Sequence, residues 1–193
     1  MRDQLRAALA AYEPQRLDER GDAAPDIKAA AVLVLFYEHN GEPHVVFQKR
    51  TETVDTHKGQ ISLPGGGADP EDTDLRFTAL RETHEEIGVH PDHVEVLGQL
   101  DDLVTISNFC ITPFVGWLTR PREEWTFSEH EVAYLLEVPF SHLLDDANHV
   151  PDRRMIKGKE FTFPAYQFGE DLIWGATARM LTNLLDVVAT FEG

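Results

Sequence analysis

Three glutamates, Glu82, Glu85 and Glu86, stand three and four residues apart in the run Arg81-Glu82-Thr83-His84-Glu85-Glu86-Ile87-Gly88-Val89, shortly after Leu63-Pro64-Gly65-Gly66-Gly67. On a helix of about 3.6 residues per turn, these spacings gather the three carboxylates on one face. Like charges so placed destabilise a helix by roughly 0.2–0.5 kcal/mol per pair, which a bound cation offsets. All-oxygen donors select hard divalent ions, so Glu82, Glu85 and Glu86 are candidate ligands for Mg²⁺ or Mn²⁺, with the Gly66 carbonyl as a further one. Gly65 and Gly66 let the backbone approach a ligand closely. Arg81 is placed to orient a glutamate through a charge-assisted hydrogen bond.

The helix carrying this cluster is expected to start between Asp72 and Asp74, whose side chains cap orphan N–H groups, and to stop at Gly88. Phe77, Leu80 and Ile87 are expected on its buried back face. Upstream, Ile27 to Tyr37 reads as a buried strand that turns at Asn40-Gly41 into a partner from His44 to Lys49. Strands are also expected at His93 to Leu100, at Asn108 to Leu118, where Pro113 marks an edge or a bulge, and at Val132 to Val138. A short helix at 141–144, a hairpin of 153–157 and 160–168 around Gly158, and an apolar helix from Ile173 onward follow. An amphipathic helix over 2–12 and a linker from Pro14 to Pro25 precede the first strand. Trp174 reads as a ring buried against the last helix, with a place in a ligand pocket as the alternative.

Between the first hairpin and the glycine run, Arg50, His57, Lys58, Gly59 and Gln60 form a polar arm without periodicity. Connections of this length carry function more often than filler. The cations of this arm are candidate phosphate contacts in a chain that holds 17 Lys and Arg against 34 Asp and Glu.

That net charge of −17 opposes non-specific binding to nucleic acid and to anionic membranes. A single cysteine, Cys110, excludes an intramolecular disulfide and suits a reducing, cytoplasmic setting. No apolar run reaches the roughly 18 residues of a membrane span. The sequence also lacks a Gly-x-x-x-x-Gly-Lys-Ser/Thr loop, a His-Glu-x-x-His pair and a Gly-x-Ser-x-Gly elbow.

The glycine loop and the Arg81 to Val89 run resemble the signature of the Nudix hydrolases. Thr73 stands where that signature carries its first glutamate, or Asp72 if Gly66 is its first glycine, and Thr83 stands where it carries an apolar residue. Arg50-Thr51, His57-Lys58-Gly59-Gln60-Ile61-Ser62-Leu63-Pro64-Gly65-Gly66, Asp69-Pro70-Glu71-Asp72 and Ile173-Trp174-Gly175-Ala176-Thr177-Ala178 resemble words of the coenzyme A pyrophosphatase branch, from which Asp55 and Leu63 depart. The resemblance implies an α/β fold, a Nudix-type α/β/α sandwich with a mixed β-sheet, as one domain over 1–193 with an N-terminal helix and linker over 1–26. It implies Mg²⁺- or Mn²⁺-dependent cleavage of coenzyme A or a derivative into 3′,5′-ADP and 4′-phosphopantetheine. It also implies that Glu131, or Glu129, completes the metal site or acts as general base. The alternatives are ADP-ribose, a dinucleotide or a nucleoside triphosphate as substrate, or a non-catalytic nucleotide-binding module. A homodimer is compatible with the N-terminal helix and the acidic surface.

Overall fold

The computed structural model describes residues 1–17, 27–52, 59–121, 125–156 and 158–192. Its centre is β1 (Lys28–His39), an apolar strand buried on both faces. The turn at Asn40-Gly41 places both residues at positive φ, 52° and 80°, as a two-residue hairpin demands, and returns the chain as β2 (Glu42–Arg50). The two strands pair only from Phe36↔Val45 to His39↔Glu42 and then diverge.

The fork they leave is filled by β3 (Ile61–Ser62), which pairs with the end of β2, and β4 (Gly65–Gly67), which pairs with the start of β1. The glycine run is therefore built into the sheet as a short strand. Pro64 seals the fork by accepting the Leu33 N–H at 2.9 Å.

On its other edge β1 runs parallel to β7 (Phe109–Leu118), from Lys28↔Phe109 to Phe36↔Trp117. Two antiparallel strands, β5 (Val94–Gln99) and β6 (Leu103–Val104), follow one another along the far edge of β7. Pro113 is expected at an edge or bulge, but β7 is central. Its missing N–H falls opposite the break between β5 and β6, where Leu100 N–H donates to the Pro113 carbonyl. β8 (Val132–Pro139) closes the outer edge of β2, completing an eight-stranded mixed sheet.

Both faces are covered. Ala31, Leu33, Leu35 and Tyr37 pack under α2 (Leu75–Ile87) through Ala79 and Ile87. Val32, Val34 and Phe36 face α1 (Arg2–Ala11), α3 (Phe140–Leu144) and α4 (Gly175–Glu192). Arg2 and Arg6 of α1 pair with Glu95 on β5, fixing the N-terminal helix to that edge. The sandwich expected from the sequence is present.

Beyond α3, β9 (His149–Ile156), β10 (Lys159–Phe168) and β11 (Asp171–Ile173) form a second, antiparallel sheet, which sequence periodicity showed only as a hairpin. Trp174 is half-exposed rather than buried, with the Arg154 guanidinium 4.1 Å above its ring. No helix among the described residues is long and apolar enough to cross a membrane.

Candidate active site

The helix α2 begins as the sequence requires, with the Asp74 side chain accepting from Phe77 N–H at 2.7 Å, and ends at Gly88 with φ 72°. Its buried side differs from the expectation. Thr78, Ala79, Thr83, Glu86 and Ile87 point inward, whereas Phe77 is exposed and Leu80 half-buried. The reason is polar satisfaction inside the helix layer. Thr83 Oγ1 donates to the Ala79 carbonyl at 2.6 Å, and Thr78 Oγ1 to Asp72 Oδ2 at 2.8 Å, so both hydroxyls are buried without a desolvation penalty.

This rotation spreads the three glutamates over a burial gradient: the side chains of Glu86, Glu82 and Glu85 are 5%, 19% and 55% exposed. Glu86 reaches into the fork, where its Oε2 accepts from Gln48 Nε2 at 2.7 Å and from Gly65 N–H at 2.8 Å, with Arg50 Nη1 3.5 Å from Oε1. Burial pushes its carboxyl up to about 7, although those three donors favour the anion. Glu82 lies at the rim. Burial pushes its carboxyl up as well, Arg81 draws it back, and the nearby charges of Glu85 and Glu131 raise it again.

Arg81 is the hub of the site. It grips Asp72 with two bonds of 2.9 Å and donates to Glu82 at 3.0 Å, Glu85 at 3.2 Å and the Gly67 carbonyl at 3.2 Å. The guanidinium holds the Asp72 carboxyl well below the usual range. Asp72 is thereby an anchor for Arg81. The sequence offers Asp72 as a helix-start cap or as a stand-in for an early ligand, and its partnership with Arg81 is hidden there because it spans nine residues across a turn.

The remaining sequence candidates fall on both sides of the fork. Arg50 ends β2 beside Glu86, and its backbone N–H donates to the Gln60 carbonyl at 3.0 Å. Gly59 turns the chain at φ 63°, next to Glu52. His57, Lys58 and Asp55 lie outside the described residues. Glu131 is exposed near Glu82, in a segment tied down by Ser128 N–H to the Glu86 carbonyl and Thr51 N–H to the Glu131 carbonyl, both 2.9 Å. Gln48, which periodicity marked only as a strand residue, is a buried partner of Glu86.

Among the described residues no three His, Cys, Asp or Glu side chains stand ready around a single point. Arg81 bridges Glu82 and Glu85, and Glu86 is turned toward Gln48 and Gly65. The donor set nevertheless fits a hard divalent cation: it is all oxygen, mutually repelling and graded from buried to open. Three buried polar atoms also lack partners among the described residues: Gln48 Oε1 and Arg50 Nε, on residues that contact Glu86, and Ser62 Oγ, on the residue paired with Gln48. Glu82, Glu85, Glu86 and the Gly66 carbonyl are the groups that would hold the ion.

The two glycines of β4 have separable roles. A Cβ at Gly65 would meet the Ala31 carbonyl oxygen at 2.3 Å, and the residue sits at φ 145°. At Gly66 the nearest atoms it would meet are those of the Glu82 carboxylate, at 2.6–2.7 Å, the movable end of a side chain. Gly65→Ala is expected to destabilise the protein by about 1–3 kcal/mol in urea unfolding. Gly66→Ala is expected to unfold like wild type while losing about tenfold or more in Mn²⁺ affinity, because the Glu82 side chain must swing away. Equal stability of the two variants would disprove this division.

A NUDIX domain model matches residues 27–162. The chain is 36% identical over 166 residues to Nudix hydrolase 22, chloroplastic, of Arabidopsis thaliana, covering 83% of this chain and 55% of that protein. It is 35% identical over 147 residues to Uncharacterized Nudix hydrolase NudL of Photorhabdus laumondii, covering 76% of this chain and 78% of that one. The chain thus spans little more than half the length of the plant relative. Among solved structures, a NUDIX hydrolase from Alicyclobacillus acidocaldarius superposes with a TM-score of 0.59 at 20% identity, covering 87% of this chain and 96% of that chain. RenU, a Nudix hydrolase from M. smegmatis, gives 0.58 at 20% identity over 84% and 86%. At such identity the two structures speak for the shared fold. Together, the match over 27–162 and the similarity to named relatives show that the chain belongs to the Nudix family, hydrolases of pyrophosphate-containing substrates that generally use divalent metal ions such as Mg²⁺ or Mn²⁺.

Proposed function

We propose that this chain hydrolyses the pyrophosphate bond of coenzyme A or a derivative, giving 3′,5′-ADP and 4′-phosphopantetheine, with Mg²⁺ or Mn²⁺ held by Glu82, Glu85 and Glu86. The observation that carries the chemistry is the graded carboxylate row of α2 pressed against Gly66 and organised by Arg81. Water adds across a P–O–P bridge; one phosphoryl gains the new oxygen and the bridging oxygen leaves with the other. A divalent ion at this row supplies neutralisation of the polyanionic substrate and activation of water.

The residues of the chain do the positioning. β4 presents backbone to the pyrophosphate, Arg81 holds Glu82 and Glu85 in place, and Gln48 with Gly65 N–H fixes the Glu86 carboxylate. Arg50, whose Nε has no partner among the described residues, lies 3.5 Å from Glu86 and suits a phosphoryl oxygen. His57, Lys58, Gly59 and Gln60 remain the proposed contacts to the rest of the substrate, and Glu131 the proposed further carboxylate. The choice of coenzyme A rests on the words around Arg50, His57 to Gly66 and Ile173 to Ala178.

One assay tests the reading. Purified protein with Mg²⁺ or Mn²⁺ is incubated with coenzyme A, ADP-ribose, NADH and dGTP, and products are resolved by chromatography. Formation of 3′,5′-ADP and 4′-phosphopantetheine is expected from coenzyme A, with at least about tenfold lower kcat/KM on the others. Cleavage of ADP-ribose but not of coenzyme A would remove the substrate assignment and leave the chemistry. No product from any of the four would remove both.

A further inference from the structure

β9 and β10 pair without interruption from His149↔Tyr166 to Ile156↔Lys159, a ribbon about 25 Å long at roughly 3.3 Å per residue. Alternation puts His149, Pro151, Arg153 and Met155 on one face with Tyr166, Pro164, Thr162 and Glu160. At its base this face is covered by α4: Tyr166 is buried and its hydroxyl lies 2.8 Å from Thr182 Oγ1. Farther out the same face is bare. The Arg153 side chain is 70% exposed, 3.9 Å from Glu160, and Met155 is 67% exposed. A two-stranded ribbon has little stability of its own in water, so an uncovered outer half is a place where a partner is expected.

The base of the ribbon and α4 enclose a groove of about 540 Å³, walled by Pro151, Pro164 and Leu185 and rimmed by Asp146 and Asp186. Both aspartates are exposed. A groove with partly apolar walls, lined also by Thr162 and Thr182, and an acidic rim suits a long apolar stem ending in a cation, or a methionine beside an arginine. The outer half of the same face offers that pair. A two-fold axis through the middle of the ribbon, near Asp152 and Arg153, would lay two ribbons antiparallel and set the tip of each over the groove of the other. The chain's charge of −17 opposes indiscriminate self-association, so a dimer needs local complementarity of this kind.

We propose that the outer half of the β9–β10 ribbon, through Arg153 and Met155, docks into the groove between ribbon and α4 of a second copy, with Asp146 and Asp186 receiving the arginine, to make an isologous homodimer. None of these residues belongs to the carboxylate site, so the dimer and the hydrolase reading stand or fall separately.

Sedimentation velocity from about 1 to about 100 μM tests it, a range suited to an interface of modest size. Wild type is expected to shift from monomer to dimer across that range. Met155→Glu is expected to weaken dimerisation by about tenfold or more. Arg153→Glu and Asp186→Arg should each weaken it, and the double variant should recover to within about threefold of wild type. Circular dichroism of every variant should match wild type, since all these side chains are on the surface. A wild type that stays monomeric throughout overturns the proposal, as does a dimer indifferent to Met155→Glu.

Discussion

Replacing Glu86 by glutamine is expected to lower turnover by about three orders of magnitude and, at the same time, to make the metal-free protein more stable at pH 8. The amide keeps an oxygen for Gln48 Nε2 and Gly65 N–H, so the geometry in the fork survives. What disappears is the charge that would bind the ion, and with it the positioning that hydrolysis of a polyanion requires. The stability gain follows from burial. Glu86 titrates near 7 in the folded chain against 4.5 as the ordinary value, so above pH 7 the fold holds an anion that it disfavours by up to about 3 kcal/mol. As pH falls from 7 toward 4.5 the folded state takes up the proton first and the penalty disappears. The wild-type and Glu86→Gln unfolding free energies, measured in urea with chelator, should therefore differ most at pH 8 and converge near pH 5. A constant gap across that interval would show that the carboxylate is not disfavoured by burial.

The second large effect is expected at Arg81. Its guanidinium satisfies Asp72, whose side chain is 4% exposed, besides Glu82, Glu85 and the Gly67 carbonyl. Arg81→Ala strands a buried carboxylate, a lesion worth about 3–5 kcal/mol. The acid side of the stability profile should change too. With Arg81 present, the depressed Asp72 titration contributes stability that is complete above about pH 4 and lost only in strong acid. Without it that contribution is absent at every pH. Arg81→Lys restores one charge but not the two-pronged grip, so it should recover part of the stability and little of the activity. Urea denaturation of both variants, beside the coenzyme A assay, checks this. A loss under about 1 kcal/mol in Arg81→Ala would show that Arg81 is not the anchor of the loop.

Much of this site was legible from residue spacing alone. The glutamate ladder, the Asp74 and Gly88 helix limits and the Asn40-Gly41 hairpin are local features, each decided by residues within one or two turns of one another. The inward set of α2 was not legible, because two threonines there behave as core residues once their hydroxyls find Ala79 and Asp72. Gln48 and Asp72 were missed for a related reason. Gln48 meets Glu86 only through the fork of β1 and β2, and nothing in a strand's alternation marks which polar residue will face a carboxylate, while Asp72 meets Arg81 across a turn of nine residues that no helical or strand period spans. Pro113 misled because the rule against proline in central strands concerns the missing N–H, and here the neighbouring strand is interrupted at that point.

The parallel pairing of β1 with β7 has a consequence for synthesis. One whole edge of Lys28–His39, including Ala31-Val32-Leu33-Val34-Leu35-Phe36, waits for a mate that begins only at Phe109. A nascent chain that already contains the glycine run and its glutamates therefore carries an open, apolar, β-branched edge, the type of segment that seeds cross-β association. For this protein the hazardous interval lies on the ribosome, after α2 has emerged and before the middle of the sheet can close, and holdase chaperones would act there.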